Sequence, residues 1–295
     1  MSWPPVLPPE RQGRAAPQDV AEGRNALRKA LAAGGWKTAQ APREGLLGGV
    51  RCLRFRPPGA PAGLVLHLHG GGYRTGIPDM IGPFAEALAT RCGVEVVLPQ
   101  YRLAPEHPFP AGLADALACL EELAKERADG WPLIVSGDSA GGGLAASLGV
   151  LAAAGAAPRI EGVMLLSPWL DLTVTALSYD AHAASDPLFS RAAAELAAEL
   201  YLQGFDTRHP LASALHAPVT AYPPAFISAG SGEVLFDDAQ RFHEKLQAIG
   251  ASSVFSAIAG MEHVAVVRSL ALTGSAETMI GIARFISSVV KLPPA

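Results

Sequence analysis

The sequence predicts an α/β protein: a mostly parallel central sheet with helices on both faces. Three observations lead there. Short apolar runs bounded by Gly or Pro alternate with helical patterns along most of the chain. No internal repeat divides it. Its 295 residues, 49% apolar and 17% charged, suit one large globular domain or one domain with a small annex.

The strand-like runs are LVLHLHG (64–70), VEVVLP (94–99), PLIVSGDS (132–139), GVMLLSP (162–168), PAFISAG (224–230) and SSVFSAIAG (252–260). Between them lie the helical patterns PFAEALATRC (83–92), AGLADALACLEELAKERA (111–128) and DDAQRFHEKLQAIG (237–250). The last of these places Phe242, Leu246 and Ile249 on one stripe and stops at Gly250, a residue suited to the left-handed turn that ends a helix. A closing helix, SAETMIGIARFISSVV, turns Met279, Ile282, Phe285 and Ile286 inward. Residues 1–45 and 171–211 break the alternation: they read as helical or irregular with no strand, and are expected to be lids on the sheet. The core is then 46–170 with 212–295.

Charge and composition exclude several function classes. A formal net charge of -4, with no run of Lys or Arg, offers no surface for neutralising phosphates, so nucleic acid is not an expected partner. Three cysteines, Cys52, Cys92 and Cys119, make neither a disulfide framework nor a C-x-x-C pair, which points to a reducing cytoplasm. The start, MSWPPVLPPERQGR, lacks the basic and apolar regions of a signal peptide or anchor. The uncharged span 139–158 is mostly Ala and Gly and reads as a buried helix, not a membrane span.

Chemistry enters at GDSAG (137–141), a G-x-S-x-G between a strand and a helix. There a serine sits in a strained turn with its hydroxyl raised above the sheet, and the glycines two positions to either side remove side chains that would strike neighbouring backbone. The pattern alone is weak, and its context strengthens it. The helix that follows tolerates Gly142 and Gly143 in its first turn at roughly 1 kcal/mol of propensity each, which implies close approach of something to that backbone. Ala140 presents its amide at the helix N-terminus, where the dipole favours negative charge. A second group of amides follows the first strand-like run, in His69-Gly70-Gly71-Gly72, where a loop without side chains can aim several N–H groups at one point.

A serine nucleophile needs a base and a group to orient it. In a parallel sheet these come from loops past the carboxyl ends of strands. Glu233 lies three residues beyond Gly230 and His263 three beyond Gly260, giving the chain order Ser139, Glu233, His263. Asp237 and Asp238 are the rival acids, placed to cap the next helix. His67 and His69 form an H-x-H that a metal-dependent hydrolase would extend with Asp and His; Gly follows instead, so His67 reads as a packed strand histidine.

Four blocks together, HGGGY (69–73), YRLAPEHPFPAGLAD (101–115), GDSAGG (137–142) and SPWLDLT (167–173), resemble the hormone-sensitive-lipase-like group of α/β-hydrolases, the GDXG esterases. The resemblance runs from about residue 46 to the end. It implies an α/β-hydrolase fold with a helical cap and cleavage of small acyl esters or lactones, without metal or cofactor. By position it implies Ser139 as nucleophile, His263 as base, and Gly71, Gly72 and Ala140 as oxyanion amides. Glu-Val-Leu (233–235) stands where the family usually has Asp-Pro-Leu, resembling the subgroup in which glutamate completes the triad. Tyr73, Asp138, Trp169, Leu188, Phe189 and Tyr201 are the candidates for lining the substrate pocket, with ordinary lid core as the competing reading for the aromatics. Two other classes use the same residues: a non-catalytic small-molecule binder on this fold, and a metal hydrolase built on His67 and His69. A strand near the C-terminus is left at an edge where a second copy of the chain can pair.

Overall fold

The computed structural model describes residues 5–128 and 130–290. Outside them lie residues 1–4, which open both the segment expected to be a lid and the stretch read as lacking a leader, and residues 129 and 291–295, within the expected core. Among the described residues, helix α1 (Gln18–Ala32) is followed by two strands, β1 (Arg43–Leu47) and β2 (Val50–Phe55). Each of the six apolar runs then forms a strand: β3 (Leu64–Leu68), β4 (Glu95–Pro99), β5 (Leu133–Asp138), β6 (Gly162–Leu166), β7 (Ala225–Gly230) and β8 (Ser253–Ile258). They make one sheet in the order β1-β2-β4-β3-β5-β6-β7-β8, parallel from β4 to β8 and antiparallel at the β1-β2 and β2-β4 pairings.

The expectation of a strand-free segment through residue 45 is corrected here, since β1 begins at Arg43. Gly48 and Gly49, both at positive φ, make the two-residue turn that joins β1 to β2. β1 escaped notice because four of its five residues are exposed, so it carries no apolar run.

Helix α2 (Gly82–Cys92) precedes β4, α3 (Ala111–Glu126) follows it, and α4 (Ala140–Ala153) leaves β5. Helices α5 (Ser178–Ala181) and α6 (Arg191–Leu202) occupy the stretch after β6. Helix α7 (Phe236–Ala248) joins β7 to β8, and α8 (Ala265–Arg268) and α9 (Ser275–Val289) close the chain. Because strand side chains alternate between faces, Leu64, Leu66 and Leu68 pack with Leu120, Leu144 and Phe242 on one side, while Val65 packs with Leu88 and Ile282 on the other. Both faces of β3 to β7 are covered, which is why these strands read as continuous apolar runs, while β8 at the edge is only partly buried. The weakly polar span after Ser139 is the centre of this arrangement: α4 is buried from Ala140 to Leu151. Among the described residues no helix is long and apolar enough to cross a membrane. The three cysteines are free thiols.

Candidate active site

Strand β5 ends at Asp138 and helix α4 begins at Ala140, leaving Ser139 alone in the turn at φ 51° and ψ -121°. A left-handed φ on a residue with a side chain costs energy, and the surroundings impose it: Ser139 N–H donates to the Leu166 carbonyl at 3.0 Å, and its own carbonyl accepts from Trp169 N–H at 3.0 Å. A Cβ on Gly137 would overlap the Gly141 carbonyl, and one on Gly141 would overlap the Leu68 carbonyl. A Cβ on Gly143 would overlap the Tyr73 hydroxyl. These overlaps are the close approaches that glycines in a first helical turn implied.

The His69–Gly72 loop is built to fix the direction of its amides. His69 Nδ1 lies 2.7 Å from the Gly70 carbonyl, and burial lowers the pKa of that ring, so its proton sits on Nδ1 and donates. The Gly71 carbonyl accepts from the Arg74 and Thr75 amides and the Thr75 hydroxyl at 2.9–3.2 Å. A trans peptide points its N–H opposite its C=O, so these bonds turn the Gly71 and Gly72 amides the other way. Neither they nor the Ala140 amide donates a hydrogen bond to another group among the described residues. Tyr101, from the YRLAPEHPFPA block, supports the loop from behind: its ring stacks on His69 at 4.3 Å and its hydroxyl donates to the His69 carbonyl at 2.6 Å.

His263 Nδ1 lies 2.8 Å from Glu233 Oε2, and His263 Nε2 lies 3.0 Å from Ser139 Oγ. A carboxylate only accepts, so Nδ1 carries the proton and Nε2 turns its lone pair to the serine hydroxyl. The other oxygen of Glu233 accepts from the Gly230 amide at 2.5 Å and the Ser167 hydroxyl at 2.8 Å. Burial draws the His263 pKa down, but the hydrogen bond and charge of Glu233, with Asp186 and Asp138 behind it, carry the pKa above its ordinary value. Such a chain can move a proton from an oxygen nucleophile to an imidazole and hold the resulting cation.

A cavity of about 720 Å³ opens onto this edge, lined by Ser139, His263, Gly71, Gly72 and Asp138, with Leu188 and Phe189 from the second lid. Phe189 stacks parallel to the His263 ring at 5.9 Å. Tyr73, Trp169 and Tyr201 do not line it. The expectation that these three line the pocket is corrected: they form a buried aromatic layer behind it, Tyr73 stacked on Tyr201 at 3.8 Å and inclined to Trp169 at 5.6 Å, and packing against one another keeps their rings out of the cavity wall.

The rival groups are engaged elsewhere. His67 is fully buried, with Nδ1 at 3.0 Å from Ser136 Oγ and Nε2 at 3.1 Å from Asp138 Oδ1. Among the described residues no group of three or more His, Cys, Asp or Glu is placed to hold a metal ion. Asp237 and Asp238 do not cap their own helix, contrary to expectation. Asp237 accepts from the Ser178 amide, and Asp238 from the amides of Leu170 and Asp171, tying the lid's root to α7. Burial pushes the Asp238 carboxyl up to about 7. Sequence reasoning missed Ser167 and Asp186. Asp186 binds the amides of Leu188, Phe189 and Val234, holding pocket wall and acid loop together.

The sheet and the groups along its carboxyl edge define a hydrolase of the α/β-hydrolase fold. A family model described by that fold matches residues 65–267. An acetyl-hydrolase of Streptomyces hygroscopicus is 38% identical over 210 residues, 71% of this chain and 70% of the relative. Carboxylesterase NlhH of Mycobacterium tuberculosis is 33% identical over 225 residues, 72% of this chain and 70% of the relative. A solved esterase from the bacterial hormone-sensitive lipase family superposes with a TM-score of 0.85 at 29% identity, covering 94% of this chain and 93% of that one. A structure of EstE5 soaked with p-nitrophenyl butyrate gives 0.84 at 30%, covering 97% and 95%. The chain belongs to the α/β-hydrolase family, in its hormone-sensitive-lipase-like branch, and is a carboxylic-ester hydrolase.

Proposed function

We propose that Ser139, His263 and Glu233 form a catalytic triad that cleaves small acyl esters or lactones through an acyl-enzyme. Neutral His263 takes the Ser139 proton as the hydroxyl attacks the acyl carbon, and Glu233 holds the imidazole and stabilises its charged form. The amides of Gly71, Gly72 and Ala140 receive the oxyanion, each worth roughly 10² to 10³ in turnover. Water then repeats the cycle and frees the acid. The observation that carries this reading is the unbroken hydrogen-bonded series from Ser139 Oγ through His263 to Glu233, whose first two members line the cavity. The segment before β1 and residues 171–211 serve as the cap, and the rest, from β1 at Arg43 onward, as the catalytic core. The setting is a reducing cytoplasm, and the free edge of β8 is where a second copy would pair.

Ser139→Ala is expected to fold as the parent does, by circular dichroism, and to lose on the order of 10⁶ in kcat on p-nitrophenyl butyrate. It also loses labelling by a fluorophosphonate, which separates an enzyme from a non-catalytic binder. Retained turnover would end the assignment.

The pH profile tests the base. His263 works deprotonated and its pKa lies above the ordinary 6.5, so kcat/KM rises with pH through a midpoint above that value. Glu233→Gln removes the upward pull, moving the midpoint down while kcat falls by on the order of 10⁴. A midpoint that stays put would show that Glu233 does not act on His263.

A further inference from the structure

Arg74 stands one residue past HGGGY and lines the cavity that holds Ser139. Its side chain is half-buried, and no hydrogen bond or ion pair reaches its guanidinium among the described residues. Partnerless arginines occur elsewhere in the chain, at Arg43, Arg91, Arg208 and Arg284, but all four are exposed to water. Among the described residues Arg74 alone combines partial burial with an empty fork. Burial lowers its pKa, the cost of keeping an unpaired cation away from water.

The backbone holds this residue in place on both sides. Its amide donates to the Gly71 carbonyl, and its carbonyl accepts from Arg24 Nε at 2.8 Å. Arg74 Nε lies 3.6 Å from where a Cβ on Gly72 would stand, so the guanidinium rests along the oxyanion loop. The other charged groups of the cavity are accounted for. Asp138 is paired with His67, and Arg268 with Glu262 and the His263 carbonyl. Asp19, exposed on α1, stands near enough to act on Arg74 by charge but makes no ion pair with it.

We propose that Arg74 is a specificity-determining residue that selects esters carrying a free carboxylate, such as the monoester of a dicarboxylic acid. A guanidinium fork takes a carboxylate through two parallel N–H···O bonds, and in a half-dry cavity those bonds are stronger than in water. The anion supplies the partner that the protein withholds. This inference rests on the esterase reading above and names a substrate class for it.

The test measures acid release from monomethyl adipate and from dimethyl adipate in a pH-stat, and takes the ratio of their kcat/KM values. Arg74→Gln is expected to lower the mono-to-diester ratio by about 10- to 100-fold, mainly through KM of the monoester. Arg74→Lys recovers part of it, and Asp19→Asn raises it by removing the competing carboxylate. A ratio unchanged in Arg74→Gln overturns the proposal, including the case in which both substrates slow equally because the residue only braces the loop. Binding of monomethyl adipate to Ser139→Ala, with and without Arg74→Gln, separates the two claims. Loss of this binding in the double variant upholds Arg74 even if the triad assignment fails, and equal binding sinks Arg74 even if the triad stands.

Discussion

The two segments expected to be lids, before β1 and at 171–211, are held to the rest of the chain by different forces. Helix α6 of the second segment buries Ala194, Ala197, Ala198, Leu200, Tyr201 and Leu202, and Tyr201 stacks on Tyr73 directly after the oxyanion loop. Helix α1 of the first buries Val20 alone. Polar ties hold the first segment instead. Arg11 donates to the carbonyls of Phe109, Leu202 and Gln203, and Arg24 to those of Arg74 and Ala104 and to the Glu106 carboxylate. Apolar burial makes α6 an extension of the core, set before any substrate arrives. Hydrogen bonds that water can replace make α1 a cover, and that cover brings Asp19, Val20 and Trp36 to the cavity wall.

The largest effect expected from this contrast is in the second segment. Tyr201→Ala removes a buried ring from the aromatic layer and leaves a void bounded by Tyr73 and Phe109. The loss in unfolding free energy is expected at about 3–5 kcal/mol by urea titration, in line with other buried aromatic truncations. A loss below about 1 kcal/mol would place α6 outside the core and remove the contrast.

What the sequence made legible divides along similar physical lines. Ser139, Glu233 and His263 each follow a strand whose apolar run is bounded by glycine, so position along the chain was enough to bring them to one edge. The buried strands β3 to β7 were legible for the same reason, and the half-exposed edge strand β8 through its glycine-bounded apolar run. The β1–β2 hairpin was not, because it lies at the sheet's border with β1 largely exposed, and only the Gly48-Gly49 pair announced it. Ser167, Asp186 and Tyr101 were opaque for another reason. Their partners lie 66, 48 and 32 residues away, and no local pattern marks a serine that braces Glu233 or a tyrosine that seats His69. Tyr73, Trp169 and Tyr201 carry a similar lesson: composition shows that aromatics cluster near a site, while packing alone decides which of them face the cavity.

The first segment yields smaller effects of a different kind. Arg24→Ala removes charge-assisted hydrogen bonds to two carbonyls and to Glu106, worth about 1.5–3 kcal/mol if they were all local to the lid. Since α1 contributes little to the core, that loss is expected as faster hydrogen exchange in α1, by about 10-fold or more, with the global unfolding midpoint nearly unmoved. KM should rise, because Asp19, Val20 and Trp36 leave the cavity wall more often. A drop in global stability as large as that of Tyr201→Ala would mean that the N-terminal segment folds with the core.

The smallest effect tests whether polar ties differ among themselves. Arg14 pairs with Glu199 of α6 across the two lids, and both side chains are about half exposed. An ion pair in that setting exchanges solvent for a partner at nearly equal free energy, so Arg14→Ala is expected to cost about 0.2–1 kcal/mol. The cost should shrink further in 0.5 M salt, where the Debye length falls to only a few ångströms. Arg24 is set apart by its burial, with a side chain 20% exposed. If Arg14→Ala loosened α1 as much as Arg24→Ala does, burial would not be what ranks these ties, and the cover would be held by net charge alone.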